Sequence, residues 1–115
     1  MIQKKEIKIV SQIIQELSLF LMFHGYTHYG LHFERHHGHE TFTVTLHEKN
    51  EAMLDTMKEK ISRAREQEIE AYYWELLGDM DSSSELDIMG LLIDEIDILE
   101  SENIITIILK REIKP

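Results

Sequence analysis

The chain contains no cysteine, so a disulfide framework, a thiolate metal site and a cysteine nucleophile are all excluded from the start. Proline occurs once, at Pro115, and nothing of the kind breaks the periodic segments before it. Glycine is scarce as well, with five in 115 residues, which leaves little material for the glycine-rich loops that cradle phosphates. Basic side chains are outnumbered, 12 Lys and Arg against 22 Asp and Glu, for a formal charge of −10. That balance argues against nucleic acid, because phosphate contacts need clustered cations to displace counterions. No apolar run approaches the roughly 20 residues of a membrane span; the longest is Leu19 to Phe23. With no charged-then-apolar leader at its start, the chain reads as a cytoplasmic protein with neither membrane nor nucleic-acid partner.

What is present reads as one folded domain over residues 1–115, 43% hydrophobic and 30% charged. From about Lys4 to His24 the residues Ile7, Val10, Ile14, Leu17 and Leu21 alternate steps of three and four, the period of one helical face. A short strand through Ile7 to Val10 is the alternative. Leu19, Phe20, Met22 and Phe23 make the end of this helix apolar all round, which predicts burial on several sides, and Gly25 is placed for a left-handed C-cap.

Between Tyr26 and His47 the period becomes two. With His37 and Gly38 as turn residues, Phe33 faces Phe42, Leu31 faces Val44 and Tyr29 faces Leu46, so the apolar sets share one face. His32, Glu34, His36, His39, Thr41 and Thr43 then share the other. Residues 50–77 read as one helix or two, with Met53, Met57 and Ile61 on a stripe, and a polar loop and a further helix with Leu86, Met89, Gly90 and Ile93 inward follow. Two strands close the chain, through Ile96, Ile98 and Leu99 and then Ile104 to Lys110, the second apolar on both faces and therefore central or part of an interface. This order predicts a two-layer α/β (α+β) sandwich, a mixed, mainly antiparallel sheet covered on one face by helices.

The stripe Glu16, Phe20, His24, followed by Gly25 and Tyr26, resembles the nucleotide helix of the Bergerat (GHKL) ATP-binding fold, and among its members the bacterial anti-sigma factor serine kinases, with sensor histidine kinases close by. The run Ile93 to Ile98 followed by Asn103 to Ile107 resembles the family's closing helix end and strand pair. The resemblance implies a histidine kinase ATPase-like fold in which Glu16 would be the general base and Phe20 stands where the family has the Asn that coordinates Mg²⁺. The family's adenine loop, Asp-x-Gly-x-Gly, corresponds to Glu48-Lys49-Asn50-Glu51-Ala52, without either glycine. Its phosphate loop falls near Ser83-Ser84-Glu85, again without glycine and with Asp79, Asp81, Glu85 and Asp87 about it, where phosphates would meet like charge. Residues 50–77 stand as a helical insert in place of the ATP lid.

The expectation is a degenerate, non-catalytic member of that fold with no cofactor and with Glu16 and His24 as vestiges. It would act in protein interaction or regulation and form a homodimer through an outer sheet face bearing Ile104, Thr106 and Ile108. An active anti-sigma-type kinase with an unconventional site on Glu16 is the alternative. A second alternative comes from the seven histidines: His32, His36 and His39 on one sheet face, with Glu34 beside them, as a three-ligand metal site. The same side chains also read as solvated imidazoles, and Tyr72-Tyr73-Trp74 as a core or interface anchor over the vacated cleft.

Overall fold

The computed structural model describes residues 3–61 and 87–113. Helix α1 spans Lys4–Phe23 and is built from good helix formers with Glu6 in its first turn. His24 caps it. Gly25, at φ +88°, donates its N–H to the Met22 carbonyl at 3.0 Å, and Tyr26 donates to that of Leu21 at 3.0 Å. These two bonds make a Schellman closure, which requires the left-handed residue that glycine supplies without steric cost.

The buried stripe of α1 is rotated from the expected one: Ile9, Ile13, Glu16, Leu17, Phe20 and Leu21 face inward, Val10 and Ile14 flank them, and Ile7 is half exposed. Two apolar stripes overlap on this helix, and the one holding the large Phe20 ring buries more area. Burial on several sides is also corrected. Leu19, Met22 and Phe23 point to solvent, Phe23 at 74% exposure, because the sheet lies under only one side of the helix end.

Strands β1 (Tyr29–Arg35) and β2 (His39–Leu46) form the expected hairpin, with Tyr29 opposite Leu46, Leu31 opposite Val44 and Phe33 opposite Phe42. Gly38 takes φ +91° in the turn. After helices α2 (Glu51–Ile61) and α3 (Asp87–Leu92), strands β3 (Glu95–Ser101) and β4 (Ile104–Glu112) form a second hairpin, turning through Glu102 and Asn103. The sheet order is β1-β2-β4-β3 and every pairing is antiparallel, so the sheet is not mixed. Its cause is the connection: the path from β2 passes through the helices to the far edge, and β4 then returns between β3 and β2 with its direction already reversed. The strand apolar on both faces is thus central.

Met53, Met57 and Ile61 of α2 and Met89, Leu92 and Ile93 at α3 join α1 in one core over the inner face of the sheet, which presents Phe42, Val44, Leu46, Ile105, Ile107 and Leu109. The two short helices touch closely: a Cβ added at Gly90 would run into the carbonyl oxygen of Lys60. The remainder of the helical insert, the polar loop and Tyr72-Tyr73-Trp74 lie outside the described residues.

At the turn end of the inner face the apolar rows give way to charge. Glu40, fully buried, accepts from Arg35 Nη1 at 2.5 Å on one carboxylate oxygen and from Arg111 Nη1 at 2.9 Å on the other. Arg35 also donates to Glu6 at 2.6 Å, so the first turn of α1 is tied to three strands by four alternating charges. Partial burial pushes the Arg35 guanidinium down, but its hydrogen bonds and charge contacts with Glu6 and Glu40 outweigh this and raise it, keeping it cationic. Replacing one member of a buried pair leaves a desolvated charge behind, so Glu40→Gln is expected to lower the unfolding free energy by about 3–5 kcal/mol. Glu6→Gln, at a wetter position, is expected to cost about 1 kcal/mol or less. Urea denaturation checks both, and equal losses would contradict the assignment of Glu40 as the buried centre.

Candidate functional site

Glu16, Phe20 and His24 do lie on one stripe of α1, as their spacing requires. Glu16 is buried and accepts a hydrogen bond from Gln12 Nε2 at 2.9 Å. Phe20 is 1% exposed and belongs to the apolar core; its ring centroid is 4.4 Å from that of His24. His24 Nδ1 sits 2.9 Å from the Phe20 carbonyl oxygen, so with its hydrogen on that nitrogen the ring donates to the helix end. The stripe is a packed surface with a carboxylate at one end and a capping imidazole at the other.

The stretch from Glu48 to Ala52 is a helix entry. Tyr26 Oη donates to the Glu48 carbonyl at 2.7 Å, Asn50 Oδ1 accepts from the Met53 N–H at 3.0 Å as an N-cap, and Glu51 and Ala52 are the first residues of α2. Lys49 reaches Glu100 of β3 at 3.0 Å and Glu51 at 3.1 Å, contacts that raise its ammonium above the usual lysine range, the Glu100 hydrogen bond first. Of the acidic cluster expected about the phosphate loop, only Asp87 falls among the described residues, where it opens α3.

On the outer face, read across β1, β2, β4 and β3, the rows are Glu34, Thr41, Lys110, Glu95; then His32, Thr43, Ile108, Asp97; then Gly30, Thr45, Thr106, Leu99. Beyond the first row, His39 lies opposite Glu112, and His36 stacks on His39 with centroids 4.5 Å apart. His36 Nε2 lies 3.3 Å from a Glu34 oxygen and 3.2 Å from Thr41 Oγ1, and His32 Nε2 lies 3.6 Å from Glu34. The structure therefore brings His32 and His36 to Glu34 and stacks His39 on His36, but no three His, Asp or Glu side chains among the described residues are arranged to hold a metal ion. A second stacked pair, His28 on His47 at 5.1 Å, lines a small cavity with Gly25, Tyr26, Thr27 and Glu48.

The charged row Arg35, Glu40, Arg111 was not anticipated. Its signal is in the alternation: each lies two residues from a core side chain, Phe33, Phe42 and Leu109 respectively, and so on the buried face.

No described helix is long and apolar enough to cross a membrane. No protein-family model, no curated protein and no solved structure matches the chain.

Burial, and secondarily the Glu48 carboxylate, raise the Tyr26 hydroxyl above its ordinary value of 10.0. The unfolded chain ionises this group first, so its contribution to stability is intact below pH ~10 and is lost as pH rises through the raised native value. Tyr26→Phe is expected to cost about 1 kcal/mol at neutral pH through the lost hydrogen bond. It should also make the alkaline fall in stability shallower. Denaturant titrations at several alkaline pH values check this, and an unchanged alkaline slope would contradict it.

Proposed function

We propose that this chain is a non-catalytic ATPase-like domain that works through protein contact, as a binding or regulatory module of anti-sigma type whose nucleotide site has been lost. The observation that carries the reading is Phe20. A metal-binding Asn at this position would need its amide at the edge of an open cleft, whereas the ring of Phe20 is in the hydrophobic core against His24. Glu16 beside it would have no metal-bound phosphate to act on, and a general base needs a substrate proton within reach. Support also comes from the stretch that would read adenine: Asn50 caps α2 and Ala52 lies in its first turn, so the backbone amides are committed to the helix. The element order of helix, hairpin, helices and hairpin is the one the resemblance implies.

In place of a cleft the domain offers the open face of its sheet. Among the described residues no helix packs on that face, which carries a band of threonines with Ile108 at its centre and Leu99 and Ile104 exposed to 56% and 43%. Leu99, Ile104 and Ile108 lie on it with no described helix to cover them, and a protein partner is their natural cover. A second copy of the chain is the partner proposed here.

Calorimetric titration with ATP and Mg²⁺ tests the loss of the nucleotide site. The expected result is no saturable heat at millimolar nucleotide, and submillimolar binding would sink the proposal.

A further inference from the structure

Strand β1 is one edge of the sheet, and among the described residues nothing pairs with its far side. The direction of its main-chain groups follows from the turn. His36 donates its N–H to the His39 carbonyl at 2.8 Å, and alternation then makes Glu34–Thr41, His32–Thr43 and Gly30–Thr45 the hydrogen-bonded pairs with β2. Tyr29, Leu31, Phe33 and Arg35 therefore turn their N–H and C=O groups to the open edge.

We infer that this edge pairs with the same edge of a second copy, antiparallel and about a two-fold axis normal to the sheet through His32, so that two four-stranded sheets become one. The inference goes beyond the reading of the outer face as a docking surface, because the seam is made by the edge and leaves that face open.

An open edge invites pairing unless charge, proline or a bulge blunts it. The β3 edge is blunted: Glu95, Asp97 and Glu100 lie within one short strand, and pairing it with its copy would gather carboxylates along a seam. β1 is not. It has neither proline nor lysine, its register with β2 runs without a bulge, and its two charged residues, Glu34 and Arg35, are of opposite sign.

The register follows from the strand itself. A two-fold axis normal to the sheet keeps the inner faces of both copies on the same side. Placed through His32 it pairs the whole of Tyr29–Arg35, whereas through Leu31 or Phe33 it would leave one end of the strand unpaired in each copy. Leu31 then lies opposite Phe33 of the copy and Tyr29 opposite its Arg35, each pair exchanging both main-chain hydrogen bonds. Tyr29, Leu31 and Phe33 are half-buried and already packed against the core, so the seam carries that core from one copy to the next. On the outer face Glu34 arrives opposite Gly30, which has no side chain to meet it, and His32 meets its own copy. No carboxylate or guanidinium stands opposite its like.

The chain has no cysteine, so single introduced cysteines report the register directly. At the axis His32 and its copy form a non-hydrogen-bonded pair with Cα atoms about 4.5 Å apart, within reach of a disulfide. Copies stacked face to face would be held about 10 Å apart, beyond that reach. Under mild oxidation at high micromolar concentration, H32C is expected to cross-link at a rate at least about tenfold that of G30C, whose copies lie apart along the seam. G30C mixed with E34C should cross-link as readily as H32C, and a side chain at Gly30 is tolerated, since its Cβ would lie 3.7 Å from that of Thr45. Analytical ultracentrifugation of the unaltered chain should show a dimer that I108E, on the outer face, leaves intact. Equal rates for H32C and G30C would overturn the register and the inference with it. A dimer that I108E abolishes would assign association to the outer face and overturn the edge; a monomer throughout, with no cross-linking, would overturn both contacts.

Discussion

Strands β2 and β4 lie side by side in the middle of the sheet, and on each of them every second side chain is withdrawn from water. Most of the fold depends on that shared constraint. A slip of one residue in either strand would send Phe42, Val44 and Leu46, or Ile105, Ile107 and Leu109, to the outer face and bring threonines and Ile108 into the core. The inner rows set where α1 must lie, and the row at the turn end sets its beginning, because Glu40 is fully desolvated and takes its hydrogen bonds from strands on both sides. Glu6 extends the same chain of charge into the first turn of α1. Such a network adds little over a well-packed apolar row, but any other register would strand one of its charges in the core.

Some of this was legible in the sequence. The first hairpin could be read residue by residue, since a two-residue turn at His37 and Gly38 admits only one pairing that keeps both apolar sets together. The end of α1 was legible for a similar reason: one glycine, placed just past a periodic segment, in a chain with few others. The stripe of α1 that faces the core was not. Period alone leaves two apolar stripes on that helix, and the choice between them is made by the sheet beneath. The neighbour of β2 was equally hidden, because it depends on which edge the chain reaches after its helices. The arginine and glutamate row escaped notice because charge in a strand is read first as solvent-facing, and only the phase of the alternation puts it inside.

Of the candidate site, the residues on α1 could be named from their spacing, and their environment could not. Four-residue steps bring Glu16, Phe20 and His24 together on any helix. Whether that stripe lines a cleft or a core is decided by tertiary packing, and here Phe20 is buried in the core with Ile13, Leu17 and Leu21. The histidines teach the complementary lesson. Their number invites a metal, yet the sheet disperses them into stacked pairs and a group of imidazoles beside Glu34 rather than a set of ligands. The molecule is then best understood as two unlike surfaces of one sheet, an inner one committed to packing and an outer one available for contact.

The central claim is that the α1 stripe is packing rather than chemistry, and Phe20→Asn addresses it most directly, since it installs the metal ligand the resemblance implies. If the ring is core, the variant loses about 3–5 kcal/mol of stability in denaturant titration, as large-to-small and polar substitutions in a core do. Its melting temperature should then be unmoved by ATP with Mg²⁺. A variant that keeps its stability and is stabilised by the magnesium nucleotide would contradict the account.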